Sequence, residues 1–517
     1  MKYRLGIDVG GTNTDAVILD SNDVVITKTK TAVSRDVVSS IREAVGTVLK
    51  DSGLPADAIS HAMLGTTQVT NAIIERQRLN PVGLIRIGAP ATLAVPPLTG
   101  WPASLKEQVQ RASVVVRGGH EFDGRPMGPL EMNGIRKFLD DNAHRLSAVA
   151  VTAVFSPVNA DHELAVRDMI EAEYSHLTVS LSHEIGSIGL LERENATVLN
   201  AAVTEVATRA AKAFEDALKE VGITADLFLA QNDGTLMAMD YALQYPILTV
   251  ACGPTNSMRG AAFLSRLDEA VIIDVGGTSS DIGMIRGGFP RQSSLAVEVG
   301  GVRTNFRMPD LIALGLGGGS RVRESGGRIT VGPDSVGYRI IEEAQVFGGN
   351  VVTFTDVAVA QMKAQIGHHK PGVSPDLSAK AYHEALRIIE DGIDRIKTNA
   401  ELIPLIAVGG GSALLPDHLE GVSEVIRPPH FDVANAIGAA IAQVSGRVDR
   451  IYAMGGRSRD QIMQEAIAAA QADAVRAGAN QNTLEIIEVE EIPLAYLPSN
   501  ASRIRITVAG RLAEDSL

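Results

Sequence analysis

The sequence contains one cysteine, Cys252, and few aromatic residues, which make up 4% of its 517 residues. A single cysteine excludes an intramolecular disulfide and a cysteine-based zinc or iron–sulfur site within one chain. No neighbouring motif indicates that Cys252 is a nucleophile, so we interpret it as a small buried residue. Because this cysteine usage is typical of a reducing compartment, we predict a cytoplasmic protein.

Long apolar runs and an excess of positive charge are also missing. The first residues lead directly into a strand pattern, without the apolar core of a signal peptide. The richest apolar stretch, residues 148–155, has the length of a strand, whereas a membrane span needs about 18 residues. The formal net charge of −14 disfavours nucleic acid and anionic membranes as main partners. We therefore expect a chain that binds neither.

Glycine is abundant, with 50 residues, and much of it is clustered. Otherwise the composition is ordinary, with 45% apolar and 21% charged residues, which excludes a disordered or collagen-like chain. The N-terminal third alternates strand and helix signals, which indicates α/β layers. At roughly 150 residues per domain, the length predicts about three units.

The chain carries an internal repeat. Residues 271–285 match residues 5–19 at seven of fifteen positions, and the shared core is Asp-Val-Gly-Gly-Thr-x-x-Asp. Each copy lies between two apolar strand patterns, so we predict a duplicated α/β lobe. We place an N-terminal lobe at residues 1–180, a second lobe at residues 181–450 and a small C-terminal α/β domain at residues 451–517.

The repeated turn has the chemistry of a phosphate loop. Glycines allow a ligand to approach the backbone closely, and successive N–H groups in such a turn bind anions. An aspartate at the strand end suits a hydrated Mg²⁺. A lone Gly-Gly-Thr would be a tight hairpin, but the repeat favours two turns that clamp a polyphosphate. The predicted phosphate-binding residues are Gly10, Gly11, Thr12, Asn13, Gly276, Gly277 and Thr278. A third loop, Gly409, Gly410 and Gly411, follows a buried strand and is predicted to flank adenosine. No P-loop and no strand-linked Gly-x-Gly-x-x-Gly pattern occurs.

Two such turns with a late Gly-Gly-Gly loop resemble the actin/Hsp70/sugar-kinase superfamily, and within it the hydantoinase A / 5-oxoprolinase family. The resemblance extends to about residue 450. The segments that carry it are Asp8-Val-Gly-Gly-Thr-Asn-Thr-Asp15, Gly65-Thr-Thr-Gln-Val-Thr-Asn-Ala72, Ser182-His-Glu-Ile-Gly186, Glu192-Arg-Glu-Asn-Ala-Thr-Val-Leu-Asn-Ala201, Gly253-Pro-Thr-Asn-Ser-Met-Arg-Gly-Ala261, Asp274-Val-Gly-Gly-Thr-Ser-Ser-Asp281, Gly317-Gly-Gly-Ser320 and Gly332-Pro-Asp-Ser335.

The resemblance implies a two-lobed actin-like ATPase fold, built from duplicated ribonuclease-H-like lobes with the small C-terminal α/β domain. It also implies an ATP-dependent hydrolase that opens a cyclic amide, such as a hydantoin or 5-oxoproline, by phosphorylating the amide oxygen. ATP and Mg²⁺ are the implied cofactors. Asp8 and Asp274 are the predicted catalytic residues and metal ligands.

The sequence departs from the family in two places. Longer members carry a Pro-Gly-Pro-Ala-Cys-Tyr segment where this chain has residues 337–340, and the chain is shorter than a typical hydantoinase A subunit. These differences bear on the substrate more than on the fold. Because no B-type half is fused to the chain, we expect a separate hydantoinase B-type or other partner subunit. A homo-oligomer is also compatible with the sequence.

Several side chains keep two interpretations. Thr66 and Thr67 follow a strand pattern and either cap the next helix or contact the lactam or γ-phosphate. Asp15 and Asp281 either cap their own hairpins or act in catalysis. His183, at a strand end, is either a site residue or a structural histidine, and we favour the structural role. Arg76, Arg78 and Arg86 are interpreted as surface charges.

Three other functions fit the same fold pattern. A small-molecule kinase would release a stable phosphorylated product instead of an opened ring. A nucleotide-dependent regulatory or filament protein would bind ATP without small-molecule chemistry. An iron–sulfur ATPase activator is disfavoured, because one cysteine per chain is too few even for a cluster shared by two subunits.

Overall fold

The fold is known from a computed structural model, which describes residues 2–33, 37–186, 188–293, 297–306, 308–452, 456–494 and 501–513. In chain order its strands are β1 (Tyr3–Val9), β2 (Asn13–Leu19), β3 (Val25–Ala32), β4 (Ile59–Thr66), β5 (Val82–Ala89), β6 (Gln110–Arg117), β7 (Ala148–Ala153), β8 (Thr178–Leu181), β9 (Asp226–Ala230), β10 (Leu236–Ala238), β11 (Ala270–Val275), β12 (Ser280–Arg286), β13 (Phe289–Pro290), β14 (Val297–Val299), β15 (Val302–Thr304), β16 (Leu311–Leu314), β17 (Ser320–Ser325), β18 (Arg328–Ser335), β19 (Ile403–Val408), β20 (Val422–Ile426), β21 (Val444–Tyr452), β22 (Glu485–Pro493) and β23 (Ser502–Gly510). Its α-helices are α1 (Val37–Ser52), α2 (Gln68–Glu75), α3 (Ala103–Val109), α4 (Met132–Asn142), α5 (Asp161–Glu173), α6 (Ser182–Ile185), α7 (Leu190–Glu220), α8 (Met239–Gln244), α9 (Cys252–Ser265), α10 (Ile340–Glu343), α11 (Phe354–Ala360), α12 (Pro375–Ile396), α13 (Ala434–Ile441) and α14 (Arg459–Arg476).

The first lobe is built on a nine-stranded sheet in the order β22-β23-β21-β10-β9-β4-β1-β2-β3. The hairpin β1–β2 is antiparallel, and β4 and β9 run parallel to β1. From Leu5 to Val9 every residue of β1 is buried, because the sheet is covered on both faces and its central strands are apolar throughout. The repeated turn therefore lies at the end of a rigid central strand.

The second lobe repeats this arrangement. Its sheet has the order β13-β12-β11-β19-β20, with β16 also paired to β12. Hairpin β11–β12 is antiparallel, and β19 and β20 run parallel to β11, as β4 and β9 do to β1. The duplication predicted from fifteen residues thus extends to whole sheets. The two-lobed α/β architecture is confirmed.

A four-stranded parallel sheet, in the order β6-β5-β7-β8, is inserted between β4 and β9 of the first lobe. The long helix α7 packs on it and carries Glu194, whose carboxylate accepts two hydrogen bonds of 2.6 Å from Arg86. Both side chains are fully buried, so the interpretation of Arg86 as a surface charge was wrong. Arg76 and Arg78 are exposed, as expected.

The C-terminal segment extends the first sheet. Strands β21 and β23 pair along their whole length, and β21 joins β10 in parallel. Helix α14 packs against them through a row of alanines at positions 466, 470 and 474 that belong to the main core of the first lobe. The domain boundaries at residues 180 and 450 stay predictions. No helix in the described ranges is both long and apolar enough to cross a membrane.

Helices α9 and α13 cross between the two sheets. A Cβ atom on Gly260 would lie 1.9 Å from the carbonyl oxygen of Ala434, and one on Gly438 would lie 1.8 Å from that of Asn256. Only glycine permits this backbone contact. The crossing brings the N-terminal turns of both helices to the space between the lobes.

Candidate functional site

The repeated turns face each other across a cleft of about 400 Å³ between the lobes. The predicted residues that line it are Asp8, Gly10, Gly11, Thr12, Asn13, Thr67, Asp274, Gly276, Gly277, Thr278, Gly409, Gly410 and Gly411. The two loops nearly touch, since a Cβ on Gly277 would lie 3.1 Å from the methyl group of Thr12. The structure thus brings these residues from distant segments of the chain to one cleft, and their roles stay predictions.

Thr66 is the predicted site residue that does not line the cleft. It is buried at the end of β4, and its hydroxyl accepts a hydrogen bond from the backbone N–H of Gln68 at 3.3 Å. This contact supports the first turn of α2, as a capping residue does. Thr67 faces the cleft, and Asn71 donates to its hydroxyl at 3.4 Å.

Each hairpin brings two aspartates together. Asp8 is directly opposite Asp15 in the register of β1 and β2, and Asp274 is opposite Asp281 in that of β11 and β12. All four line the cleft. Asp15 and Asp281 thus belong to the same site as the predicted metal ligands.

A glycine leaves room for each strand-end aspartate. A Cβ on Gly65 would lie 2.3 Å from Oδ1 of Asp8, and one on Gly409 would lie 2.1 Å from Oδ1 of Asp274. Gly65 is the second-last residue of β4 and Gly409 follows β19, and these two strands are the corresponding parallel neighbours of the two hairpins. The carboxylates can therefore point into the cleft only because both positions lack a side chain.

Burial makes these carboxylates hard to ionise. Burial, together with the nearby charges of Asp15 and Asp274, raises the pKa of Asp8 to about 7, although Asn435 donates to its Oδ2 at 2.9 Å. Burial and then Asp274 raise the pKa of Asp281 to about 7. The pKa of Asp274 is also raised by burial, against a hydrogen bond from Ser257. A divalent cation would relieve this repulsion.

The donor set fits Mg²⁺ held together with phosphates. Oδ1 of Asp8 and both amide atoms of Asn256 are buried without a hydrogen-bond partner. No group of three His, Cys, Asp or Glu side chains in the described ranges is arranged to hold a metal alone. Mg²⁺ commonly binds one or two carboxylates and completes its shell with water and substrate phosphates. Asp8 and Asp274 would hold it, and Asn256 lies beside Asp8.

Sequence reasoning missed four polar side chains here. Lys30 lines the cleft, Asn256 lies beside Asp8, and Ser257 and Asn435 each donate to a strand-end aspartate. Asn256 and Ser257 stand in a segment already singled out by the family resemblance, but their side chains were not assigned. Lys30 and Asn435 are outside those segments, so only the fold reveals them.

The second lobe also supplies an apolar wall to the cleft. Its members are Tyr338, Ile340, Ile341, Phe347 and Ile366. Tyr338 and Ile341 are 56% and 59% exposed. An apolar surface at the wall of a cleft suits a nucleobase, and it lies on the same lobe as Gly409–Gly411.

A larger cavity of about 480 Å³ lies between α6, β21 and α14. Its charged side chains are largely paired with one another or with buried neighbours. The ion pairs are Arg447 with Asp233 and Arg476 with Asp473, and His183 is hydrogen-bonded to Glu163. His183 Nδ1 lies 2.7 Å from the buried Glu163 carboxylate, which fits its interpretation as structural.

Cys252 is buried, and burial raises the pKa of its thiol to about 12, which agrees with its interpretation as a small buried residue.

The chain belongs to the hydantoinase/oxoprolinase family. The hydantoinase/oxoprolinase N-terminal region matches residues 4–174, and the hydantoinase/oxoprolinase region matches residues 193–363. The two matches cover both hairpins and most of the segments on which the resemblance rests.

Among curated proteins, the chain is 28% identical over 384 residues to the caprolactamase subunit alpha of Pseudomonas jessenii, covering 69% of this chain and 54% of that one. It is 27% identical over 389 residues to the acetophenone carboxylase gamma subunit of Aromatoleum aromaticum, covering 69% and 52%. The chain thus spans about half the length of each of these relatives.

Among solved structures, the ATP-dependent caprolactamase from Pseudomonas jessenii superposes with a TM-score of 0.78. The superposition covers 99% of this chain and 88% of that one at 20% sequence identity. This agreement shows the fold, including the C-terminal segment that the family matches do not reach.

Proposed function

We propose that this protein is an ATP-dependent enzyme that phosphorylates the oxygen of a cyclic amide, so that water can open the ring. The observation that carries the proposal is the pair of Asp-Val-Gly-Gly-Thr turns that face each other across a cleft lined by five aspartates, four of which come from the two hairpins. The backbone N–H groups of both turns would bind the phosphates of ATP. Asp8 and Asp274 would hold Mg²⁺, which neutralises phosphate charge when bound.

The chemistry explains why ATP is needed. An unstrained lactam is a poor electrophile, and its oxygen is a poor leaving group. In the proposed reaction the γ-phosphoryl group leaves ADP and joins the amide oxygen, and the ring nitrogen loses its proton. Water then attacks the activated carbon, and the C–N bond breaks as the ring nitrogen takes up protons, which leaves an acyl phosphate. A second water molecule hydrolyses the acyl phosphate to the carboxylate and releases phosphate. The lactam, ATP and two water molecules give the open amino acid, ADP and phosphate.

The protein would hold the reacting groups in position and supply charge that stabilises the phosphates. Thr67, at the cleft side of α2, would contact the transferred group or the lactam, with Thr66 holding the turn behind it. The apolar wall and Gly409–Gly411 would receive adenosine. Asn256, beside Asp8, would complete the surroundings of the metal.

A separate subunit is part of the proposal. Both curated relatives bear names of subunits, caprolactamase subunit alpha and acetophenone carboxylase gamma subunit. We therefore infer that a hydantoinase B-type or other partner completes the enzyme in the cytoplasm, with the present chain supplying phosphorylation.

The experiment measures phosphate release from Mg-ATP by the pure chain, with and without hydantoins, 5-oxoproline, caprolactam and other lactams. Products are identified by mass spectrometry, and the partner subunit is added in a second series. We expect lactam-stimulated release and a ring-opened product at least in the second series. Failure to bind ATP, or ATP binding without lactam response in both series, would contradict the proposal.

A carboxylase is the second candidate, because the acetophenone carboxylase subunit is nearly as similar to this chain as the caprolactamase subunit. The same cleft could phosphorylate an enolate or bicarbonate oxygen. Including ketones with labelled bicarbonate in the panel separates the two, since only a carboxylase fixes the label. A stable phosphorylated compound would instead identify a small-molecule kinase.

A further inference from the structure

The cleft contains five aspartates but little positive charge. Among the described residues that line it, Lys30 carries the only positively charged side chain. A nucleoside triphosphate brings about four more negative charges, which a single divalent cation cannot balance. Because salt screens a partly buried charge less than an exposed one, the ammonium group of Lys30 should attract a bound nucleotide more strongly than a surface lysine does.

Lys30 is placed by strand register. Asp8, Asp15 and Lys30 stand opposite one another on β1, β2 and β3, which puts them in one row across the sheet. Nζ of Lys30 lies 2.5 and 2.7 Å from the two carboxylate oxygens of Asp15. The Asp15 side chain is 3% exposed, whereas that of Lys30 is 29% exposed, so the ammonium group remains accessible from the cleft.

Among the described residues of the second lobe that line the cleft, none carries a positive charge. There the third strand is β16, and it presents Ala313 opposite Asp281. The apolar wall, in contrast, belongs wholly to the second lobe. These two asymmetries give the cleft a direction, with the base at the second lobe and the terminal phosphate at the first.

We propose that Lys30 binds the terminal phosphoryl group of the nucleotide, with Asp15 as the carboxylate that holds its ammonium group in place. This rests on the proposed function, because it assumes that ATP occupies the cleft. A lysine ammonium is a mobile point charge that can follow the phosphoryl group during transfer. Lys30 is thus a phosphate ligand, and Asp15 is a positioning residue.

The test compares nucleotides that differ only in the terminal phosphate. Titration calorimetry with Mg²⁺ measures affinity for ADP and for the β,γ-imido analogue of ATP. For Lys30→Gln we expect the analogue to bind at least tenfold more weakly, with ADP affinity changed less than twofold. Lys30→Arg should lie between this variant and the wild type. Lys380→Gln, which removes a surface lysine also paired with an aspartate, is the matched control.

A structural role would show a different pattern. Asp15→Asn combined with Lys30→Gln removes both charges of the pair, so a purely structural loss would be rescued in that double variant. Loss of analogue affinity would persist if Lys30 binds phosphate. Equal weakening of both nucleotides, no change, or rescue would overturn the assignment. If the wild-type chain binds neither nucleotide, the proposed function itself fails.

Discussion

The third strand of each lobe makes the two halves of the cleft differ. In the first lobe β3 places Lys30 against Asp15, and in the second β16 places Ala313 against Asp281. The turns, the strand-end aspartates and the glycines beside them correspond in both lobes. The two lobes therefore share the predicted phosphate-binding turn and its aspartates, while the adjoining strands differ. The one positively charged side chain among the described residues that line the cleft, Lys30, belongs to the part that differs.

The largest expected effect tests the part that the lobes share. Asp8→Asn and Asp274→Asn should each lower ATP turnover about 10³-fold or more, because both remove a ligand charge from the metal. Circular dichroism should show an intact fold in both variants, and Asp51→Asn, at an exposed position, is the control. Turnover at the wild-type level in either variant would contradict the assignment of Mg²⁺ to both lobes.

The next prediction compares Asp281 with Asp15, the aspartates on the second strand of each hairpin, by the effect of their substitution on the free energy of unfolding. An unfolded Asp281 ionises near its ordinary pKa of 3.8, but in the fold its pKa is about 7. The folded state therefore loses stability relative to the unfolded state as pH rises from about 4 to 7. Asp281→Asn removes this loss and should raise the free energy of unfolding by about 1–3 kcal/mol at pH 8.

The measurement is urea denaturation without nucleotide or Mg²⁺ at pH 8 and at pH 3. The gain should vanish at pH 3, where the carboxyl is protonated in both states. Asp15→Asn, which leaves Lys30 without its partner, should gain less than Asp281→Asn. Equal gains would mean that the lysine makes no electrostatic difference between the lobes.

A smaller effect concerns the side chains that hold the strand-end aspartates. Asn435 donates to Asp8, and Ser257 donates to Asp274. Asn435→Ala and Ser257→Ala should each lower the affinity for Mg²⁺ in the presence of nucleotide about tenfold, which is typical of groups that orient metal ligands. Calorimetry at varied Mg²⁺ measures it. An effect confined to one variant would show that one lobe holds the metal.

The smallest effect is expected when a lysine is introduced at the corresponding position of the second lobe. Ala313 is exposed and directly opposite Asp281. Ala313→Lys should lower the pKa of Asp281 and raise stability at pH 8 by about 0.5–1 kcal/mol, as a cross-strand ion pair does. Ala313→Gln controls for the longer side chain. The same stability in both variants would show that Asp281 does not sense a charge at position 313.

The sequence predicted most where local pattern determines structure. The turns at residues 8–15 and 274–281 were found because glycine, threonine and aspartate are needed at fixed spacing there. Their convergence on one cleft followed from the repeat. The buried state of Arg86 could not be predicted, because its partner Glu194 is 108 residues away and only the fold brings them together. Lys30 depends in the same way on the register of β3.

The strands that complete the first sheet come from the end of the chain. Strands β21, β23 and β22 follow β10 in the sheet, and β21 and β23 contribute to the core that surrounds β1. During synthesis the second lobe, whose sheet ends at residue 426, can close before the first lobe has all its strands. The first sheet is therefore completed by contacts between segments more than 400 residues apart, and contacts at such separation form slowly. We expect the second lobe to complete its sheet before the first lobe does.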